Sequence, residues 1–246
     1  MDGRDLEQSL VLIKPDALKY SLTGYVLSVL SEVHTGLRYA GAKIVHVNRM
    51  LAEEHYQEHR GKPFFPPLID YIRGKLHYPG EAWKRRVIAI VYQGPDAIRK
   101  IRECSGPTNP FTAREERPGC IRSLGAVISI KDESGNVVGE RMENLIHASA
   151  SPVDAEREIK LWFKPNDIPP LMHGYPVVES DEHYYFMNGR LSLTHEPGSA
   201  CILAPSDICW KSDFEALQAL YKGAAASCPV ESVVAKYLVN QGPEED

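Results

Sequence analysis

Residues 143–163 read ENLIHASASPVDAEREIKLWF, and they join a histidine among small residues to a segment with helical spacing. In that segment Ala155, Ile159 and Trp162 lie at positions i, i+4 and i+7, a spacing that predicts one buried helix face. Glu158 comes three residues after Ala155 and falls on or beside this face. Because a buried carboxylate is costly unless it is paired or hydrogen-bonded, Glu158 needs a partner.

His147 is a candidate for that partner, because only a short loop separates it from the predicted helix. A carboxylate that holds one imidazole nitrogen fixes the tautomer and leaves the other nitrogen free to attack an electrophile. Spacing alone also allows a structural loop histidine, with Glu158 facing water. The functional hypothesis is a supported nucleophile at His147.

The chain before residue 143 alternates strand-like and helix-like segments. Apolar runs and alternation predict strands at residues 9–13, 42–51, 86–94 and 124–132. Helical spacing predicts helices at residues 25–33, 52–60, 66–74, 96–103 and 152–163. Strands separated by helices indicate an α/β protein with two layers, in which helices cover one sheet.

The character of the sequence changes after residue 163. Residues 164–176, KPNDIPPLMHGYP, contain four prolines and a glycine and are typical of an ordered linker or docking loop. Asn188-Gly189 stands between two strand-like runs and predicts a hairpin. A further strand is expected within residues 199–207, and helices within 212–227 and 230–238.

Composition narrows the class of protein. The 246 residues are 43% hydrophobic and 25% charged, with a net charge of −5, so a nucleic-acid-coating protein is not expected. The five cysteines are odd in number and form no CxxC pair, which favours reduced thiols in a cytoplasmic protein over a disulfide framework. The apolar runs are too short to cross a membrane, and the first residues lack the apolar region of a signal peptide.

Five fragments carry a family resemblance. The chain has neither a GxxxxGK[ST] loop nor a GxGxxG motif, so any phosphate must be held by side chains. The fragments VLIKPDAL, EEHYQEHRGKPFFPPLIDYI, GPTNP, GCIR and ENLIHASAS…AEREIKLWF occur in an order that resembles nucleoside diphosphate kinases, across about residues 8–163. The resemblance implies a ferredoxin-like two-layer sandwich, in which helices cover an antiparallel four-stranded sheet. It also implies transfer of the γ-phosphate of a nucleoside triphosphate to a nucleoside diphosphate by a ping-pong mechanism.

The resemblance also assigns roles to single residues. His147 would accept the phosphoryl group, Glu158 would hydrogen-bond its other nitrogen, Ser149 would orient Glu158, and Tyr56 would lie beside the histidine. The nucleotide would be bound through its phosphates, sugar and base by Lys14, Phe64, Leu68, Arg102, Thr108, Arg122 and Asn144. In that set Phe64 would stack on the base above Leu68, Asn144 would contact the ribose 3′-hydroxyl region, and Mg²⁺ would bind between the phosphates. Taken singly, each of these residues also has an ordinary structural interpretation.

The histidine loop departs from the family pattern. The family commonly has H-G-S-D-S, whereas this chain has His147-Ala148-Ser149-Ala150-Ser151. If the missing aspartate mainly caps the next helix, its loss costs about 0.5–2 kcal/mol. Ser151-Pro152 followed by Asp154 is itself a good helix start, so we expect Ala150 to be tolerated.

The chain is also longer than the resemblance requires. Insertions are expected near residues 75–86 and near 131–142, where a hairpin is predicted, and the loop between Pro110 and Arg122 is enlarged. We divide the chain into a kinase-like catalytic domain, residues 1–163, and a C-terminal extension, residues 164–246. A dimer-based homo-oligomer, hexamer or tetramer, is expected, although the insertions argue against simply adopting the family's hexamer.

Two other functions stay open at this point. One is a catalytically weak nucleotide-binding regulator on the same scaffold, which would bind nucleotides without turnover. The other is a different kinase or phosphatase with a histidine relay, which would show narrow specificity among acceptor diphosphates. The expected partners are nucleoside tri- and diphosphates, with no nucleic acid and no membrane.

Overall fold

The computed structural model describes residues 7–131 and 134–240. Six strands precede residue 149: β1 (Gln8–Ile13), β2 (Arg38–Val45), β3 (Val87–Gln93), β4 (Ala126–Lys131), β5 (Val137–Glu143) and β6 (Ile146–Ala148). Four of them form an antiparallel sheet in the order β2-β3-β1-β6. The predicted fold, an antiparallel four-stranded sheet covered by helices in a ferredoxin-like arrangement, is confirmed.

The α-helices of the described residues up to Trp162 are α1 (Pro15–Lys19), α2 (Thr23–Val29), α3 (Glu32–Thr35), α4 (Arg49–His55), α5 (Phe65–Ile72), α6 (Ala97–Ser105), α7 (Pro110–Glu116) and α8 (Pro152–Trp162). Helices α4, α5 and α8 pack on one face of the sheet, and α1, α2 and α6 pack on the other. Strand β1 is therefore buried along its whole length. Its alternate side chains, Leu10 and Leu12 against Val11 and Ile13, enter the two separate cores.

The fourth strand of the sheet is not the one that the sequence predicts. The segment predicted as a strand at residues 124–132 forms β4, but β4 pairs with β5 in a separate hairpin. The edge of the central sheet is instead β6, which places His147 on a strand and not in a loop. A strand of three residues between Leu145 (φ 69°) and Ser149 is too short to leave a periodic signal.

The second strand and the helix after it also have different bounds from those predicted. The predicted strand at residues 42–51 starts earlier, at Arg38, and ends at Val45. Asn48 then caps α4, because its side-chain oxygen accepts a hydrogen bond of 2.7 Å from the backbone N–H of Leu51. Met50 and Leu51, at the end of the predicted strand, therefore belong to the first turn of the helix, where an Asn cap overrides strand propensity.

The two predicted insertions contact each other at the base of the β4–β5 hairpin. Ala126 lies opposite Glu143, so the chain leaves and re-enters the domain at neighbouring positions. His77, in the first insertion, places Nε2 3.1 Å from Oε1 of Glu143, and Arg141 places Nη2 2.7 Å from the same oxygen. Gly125 is required at this base, because a Cβ there would lie 2.4 Å from the carbonyl oxygen of Glu143. Residues 132 and 133 of the predicted hairpin lie outside the described residues.

The C-terminal extension folds around a core of its own. Its elements are β7 (Val177–Glu179), β8 (Tyr184–Met187), β9 (Arg190–Ser192), β10 (Ala200–Leu203), β11 (Ile208–Trp210), α9 (Lys211–Tyr221) and α10 (Val230–Val234). The predicted hairpin is confirmed: Asn188 and Gly189 have φ values of 49° and 79° and join β8 to β9. Residues 241–246, which the predicted extension includes, lie outside the described part of the chain.

The extension is attached to the first domain through Trp210. Its indole is fully buried in the core between the sheet and helices α4, α5 and α8, and Nε1 donates a hydrogen bond of 2.7 Å to the carbonyl oxygen of Phe163. Ile168, in the proline-rich segment, is buried in the same core, so this segment is docked on the domain. Within residues 7–131 and 134–240, every helix is too short or too polar to span a bilayer.

Candidate active site

His147 and Glu158 meet at the edge of the central sheet. His147 lies opposite Leu12 in the β1–β6 pair, and its side chain is 18% exposed. Its Nε2 atom is 2.9 Å from Oε2 of Glu158, which is buried on the inward face of α8. The oxygen lies off the ideal N–H direction, so this is a close polar contact and not a well-aligned hydrogen bond. Nδ1 of His147 is therefore the nitrogen that does not face the carboxylate.

Glu158 is held as a carboxylate despite its burial. Burial alone would raise its pKa, but the adjacent imidazoles of His147 and His55, with a hydrogen bond from Ser149, lower the pKa to about 2. The Ser149 hydroxyl donates to Oε2 at 2.7 Å, and its oxygen accepts the backbone N–H of Leu10 at 3.0 Å. Ser149 thus ties the carboxylate to strand β1. Three predicted residues, His147, Glu158 and Ser149, are brought together as expected.

His55 is a site residue that the sequence interpretation missed. Its ring centroid is 4.4 Å from that of His147, with the two planes at 81°. The indole Nε1–H of Trp162 donates to Nδ1 of His55 at 3.2 Å, and because an indole can only donate, the proton of a neutral His55 must be on Nε2. Burial, followed by the charge of His147, holds the pKa of His55 well below its usual value. The available signal was Trp162, four residues after Glu158 on the same helix face.

His55, His147 and Glu158 also satisfy the geometry of a metal site. Their possible ligand atoms all lie within 4.8 Å of one another. A metal needs a nitrogen lone pair, however, and in His55 the Nδ1 lone pair accepts from Trp162 while Nε2 carries the proton. The chemistry of this cluster therefore favours a neutral hydrogen-bond donor at His55 over a metal ligand.

A second group of predicted residues forms the cationic side of the site. Nζ of Lys14 donates to Oδ1 of Asn144 at 2.7 Å, and Nδ2 of Asn144 donates to the carbonyl oxygen of Thr108 at 2.9 Å. Arg122, which is buried, donates to the carbonyl oxygens of Gly106 and Ile146 at 3.0 and 3.4 Å. These bonds join the loops that contain Thr108 and Asn144 to strand β6, which carries His147.

The cations on this side are close enough to repel one another. Burial lowers the pKa of Lys14 to about 7; nearby Asp16 opposes this shift, and the charge of Arg122 adds to it. Burial and the charge of Arg102 lower the pKa of Arg122 to about 10. Arg102 itself is exposed on α6. An anionic ligand placed among these groups would relieve both the repulsion and the cost of burial.

Asp16 holds the loop before the histidine, and the sequence interpretation gave it no role of its own. Its Oδ2 atom accepts the backbone N–H of Leu145 at 2.9 Å, while the backbone N–H of Lys14 donates to the carbonyl oxygen of Leu145 at 2.8 Å. Leu145 has a left-handed φ of 69°, which is uncommon for a residue with a branched side chain. The KPD turn thus holds a strained residue that sets the direction of Asn144 and β6.

The predicted base-binding residues lie apart from the cations, at the outer end of an aromatic series. Tyr56 is buried and stacks on His59 at 6.2 Å, and His59 contacts Phe64 edge to face at 5.4 Å. Phe64 is 48% exposed, and Leu68 is partly buried on α5. Burial raises the pKa of the Tyr56 hydroxyl, which has no hydrogen-bond partner among the described residues. This series of rings begins beside His55 and ends at solvent with Phe64, on which a flat ligand can stack.

The helix that presents Glu158 begins as the sequence predicts. Ser151 is the N-cap: its oxygen accepts the backbone N–H of Asp154 at 3.1 Å, and its hydroxyl donates to Oδ2 of Asp154 at 2.6 Å. Pro152 occupies the first helical position. The predicted compensation for Ala150 is therefore present as a structural feature.

Known proteins with similar sequence and structure fall in one family. A family model described as nucleoside diphosphate kinase matches residues 7–168. The nucleoside diphosphate kinase of Thermococcus kodakarensis is 39% identical over 202 residues, 82% of this chain and 99% of that protein. That of Symbiobacterium thermophilum is 42% identical over 158 residues, 64% of this chain and 87% of that protein.

Two solved structures that are similar to this chain are also nucleoside diphosphate kinases. The Aquifex aeolicus nucleoside diphosphate kinase matches with a TM-score of 0.52 and 30% identity, over 66% of this chain and 99% of that chain. The Halobacterium salinarum enzyme in complex with CDP matches with a TM-score of 0.50 and 32% identity, over 66% of this chain and 91% of that chain. Each of these two structures covers 66% of this chain, and the family model covers residues 7–168, which include His147 and Glu158.

Proposed function

Because this chain belongs to the nucleoside diphosphate kinase family, we propose that His147 transfers the γ-phosphoryl group of a nucleoside triphosphate to a nucleoside diphosphate. Membership makes the protein a phosphotransferase; the covalent route and the residue roles are our proposal. The observation that carries it is the 2.9 Å contact between Nε2 of His147 and the buried carboxylate of Glu158. This contact occupies one ring nitrogen and directs the other to the ligand.

In the first half-reaction the lone pair on Nδ1 of His147 attacks the γ-phosphorus. The N–P bond forms as the bond from the γ-phosphorus to the bridging oxygen breaks, and the nucleoside diphosphate leaves with that electron pair. The ring becomes cationic, and the carboxylate of Glu158 stabilises the positive charge at Nε2–H. In the second half-reaction a terminal β-phosphate oxygen of another diphosphate attacks the phosphorus. The N–P bond breaks, its electron pair returns to Nδ1 of neutral His147, and the new triphosphate leaves.

The cationic side supports the charge of the transferring group. Lys14, Arg102 and Arg122 would supply positive charge to the phosphates. Asn144, which is hydrogen-bonded to Lys14 and to the backbone of Thr108, would with Thr108 contact phosphate and sugar. Phosphoryl transfer depends mainly on such charge stabilisation and on in-line placement. Stacking on Phe64, with Leu68 beneath it, tolerates any base, because every base has a π-face. We therefore propose broad specificity among nucleoside diphosphates.

A divalent cation, Mg²⁺ in our proposal, fits this site only through the nucleotide phosphates. Asp16, the acid beside Lys14, is fully buried and uses one carboxylate oxygen to hold the backbone of Leu145. The cluster of His55, His147 and Glu158 is unsuitable for the reason given above. The ion would neutralise phosphate charge, while Lys14 and the two arginines orient the phosphates.

A nucleotide-binding regulator without turnover is less well supported. Such a protein needs the cations and the stacking platform, but not the arrangement of Ser149, Glu158 and His147. We also propose a dimer-based homo-oligomer, tetramer or hexamer, and a cytoplasmic location, on the strength of the family and of the free cysteines. Light scattering on the full chain tests the assembly.

Labelling with γ-³²P ATP and Mg²⁺ tests the proposed route. We expect wild type to gain an acid-labile, alkali-stable label that added nucleoside diphosphate removes. His147→Ala should gain none, whereas His183→Ala, an exposed histidine of the extension, should label like wild type. An unlabelled wild type, or equal labelling of His147→Ala, contradicts the proposal.

A further inference from the structure

The C-terminal extension lies along α4, the helix that ends beside the candidate active site. At its start the side-chain amide of Asn48 donates to the carbonyl oxygen of Ala235 at 3.4 Å. In its first turn Met50 packs into the core of the extension. Near its end the hydroxyl of Ser232, on α10, donates to Oε2 of Glu54 in a short hydrogen bond. The extension therefore contacts α4 at both ends.

Glu54 accepts the last of these hydrogen bonds. It is only 2% exposed, and a buried carboxylate is stable only when its oxygens are paired. One oxygen, Oε1, accepts from the guanidinium of Arg60, and the other, Oε2, accepts from Ser232. Ser232 therefore completes the hydrogen bonding of a buried charge that sits directly before His55.

Arg60 transmits this contact to the aromatic series. It follows the short 3₁₀ turn Gln57–His59, and the chain then runs through residues 61–63 to Phe64 at the start of α5. The guanidinium, which is about half exposed, pairs with Glu54, and this ion pair links the turn to α4. His59 contacts Phe64 from the same turn. A change at Ser232 can thus reach the stacking platform without touching the cationic side.

We propose that Ser232 is a positioning residue for the nucleobase: it holds Glu54, Glu54 holds Arg60, and Arg60 fixes residues 56–64 for stacking. The inference rests on the proposed function, because it assigns the base to Phe64. It gives the extension, most of which lies beyond the family-matched residues 7–168, a part in substrate binding. The phosphate contacts of Lys14 and Arg122 are independent of it.

The test compares a ligand that has a base with one that lacks it. Calorimetry would measure binding of ADP and of ribose 5-diphosphate to the full chain. For Ser232→Ala we expect ADP affinity to fall about two- to tenfold, the worth of one net hydrogen bond, while ribose 5-diphosphate affinity stays within about twofold. Ser232→Thr, which keeps the hydroxyl, should restore ADP binding. Ser192→Ala, which removes another hydrogen-bonded hydroxyl of the extension, should match wild type.

A second variant keeps the proposal testable if Ser232→Ala folds poorly. Arg60→Met should give the same selective loss, and the double variant should lose no more than the larger single loss, since both act through Glu54. Hydrogen exchange at residues 56–64 should rise in each. Equal losses for both ligands, or unchanged ADP binding, overturn the proposal. These binding measurements need no phosphoryl transfer, so a wild type that binds ADP but never labels defeats only the proposed transfer reaction.

Discussion

Ser149 donates its hydroxyl proton to the same Oε2 atom of Glu158 that faces Nε2 of His147. The backbone N–H of Leu10 donates to the Ser149 oxygen in turn. An amide of the central strand is thus connected through a hydroxyl and a carboxylate to the imidazole. The orientation of the ring is set by the rigid sheet as well as by its own short strand.

The charge of Glu158 is the first quantity to test. Glu158→Gln keeps the size of the side chain but removes the negative charge that stabilises the phosphorylated imidazole. We expect the rate of phosphohistidine formation to fall on the order of 10²-fold in single-turnover experiments, with little change in nucleotide affinity. Glu156→Gln, an exposed neighbour on α8 paired with Lys160, should leave the rate unchanged. A wild-type rate in Glu158→Gln would contradict the assignment.

Lys14 should make nucleotide binding pH-dependent. Its pKa is lowered from 10.5 to about 7, mainly by burial, so free protein loses this proton as pH rises through 7. Because phosphate binds the protonated amine, the apparent Kd should rise by up to about tenfold per pH unit above 7. Calorimetry at pH 8 in buffers of different ionisation enthalpy should show proton uptake on binding. Lys14→Gln should bind weakly and without this uptake; uptake that persists in Lys14→Gln would rule out Lys14 as its source.

The lowered pKa of Lys14 should also make the free energy of unfolding depend on pH. Between pH 7 and 10.5 the unfolded chain holds the Lys14 proton and the folded protein does not. The contribution of Lys14 to the free energy of unfolding should therefore increase as pH rises through this window. Urea denaturation of wild type and Lys14→Gln at pH 7 and 9 measures this contribution as the difference between their free energies of unfolding. A difference between wild type and Lys14→Gln that is equal at pH 7 and pH 9 would contradict this prediction, because it would show that the folded protein keeps the Lys14 proton.

The helix start after Ala150 gives a prediction on stability. Ser151→Ala should lower the free energy of unfolding by about 1 kcal/mol, because the N–H of Asp154 loses its cap. Ala150→Asp should change it by less than about 0.5 kcal/mol, since the cap is already present. Urea denaturation measures both. A tenfold higher rate of phosphoryl transfer in Ala150→Asp would show that Ala150 impairs catalysis, against the expectation that it is tolerated.

Trp162 should fix the tautomer of His55. In wild type, ¹⁵N chemical shifts should report the proton on Nε2 of His55, because Nδ1 accepts from the indole. Trp162→Phe removes that donor, so a mixture of tautomers and a slower transfer are expected. Trp83→Phe, at an exposed indole, is the matched control. A His55 shift that is identical in wild type and Trp162→Phe would exclude the hydrogen bond as its cause.

The parts of the site that sequence reasoning predicts best are those with local causes. The inward position of Glu158 follows from helical spacing, and the cap at Ser151 follows from residue type. Both depend on neighbours within a few residues, and the structure has both. The roles of the nucleotide-binding residues came from the family resemblance, and they stay predictions until variants are measured.

The parts that escaped prediction depend on contacts between distant segments. His55 belongs to the site because Trp162, 107 positions away, donates to it. Strand β6 exists because three residues pair with buried β1, and β4 leaves the sheet because it has β5 as a partner. Short strands and buried polar pairs leave no periodic pattern in one sequence, since tertiary contacts decide them.

The β4–β5 hairpin has a practical meaning for protein engineering. Its two ends are neighbours at the pair of Ala126 and Glu143, so whatever lies at its tip adds nothing to the distance between Arg122 and Asn144. Lengthening such a loop costs only about 0.6 kcal/mol per doubling. The hairpin is thus a suitable insertion point. An epitope, a fluorophore site or a whole small domain can be inserted there while the residues of the candidate active site keep their positions.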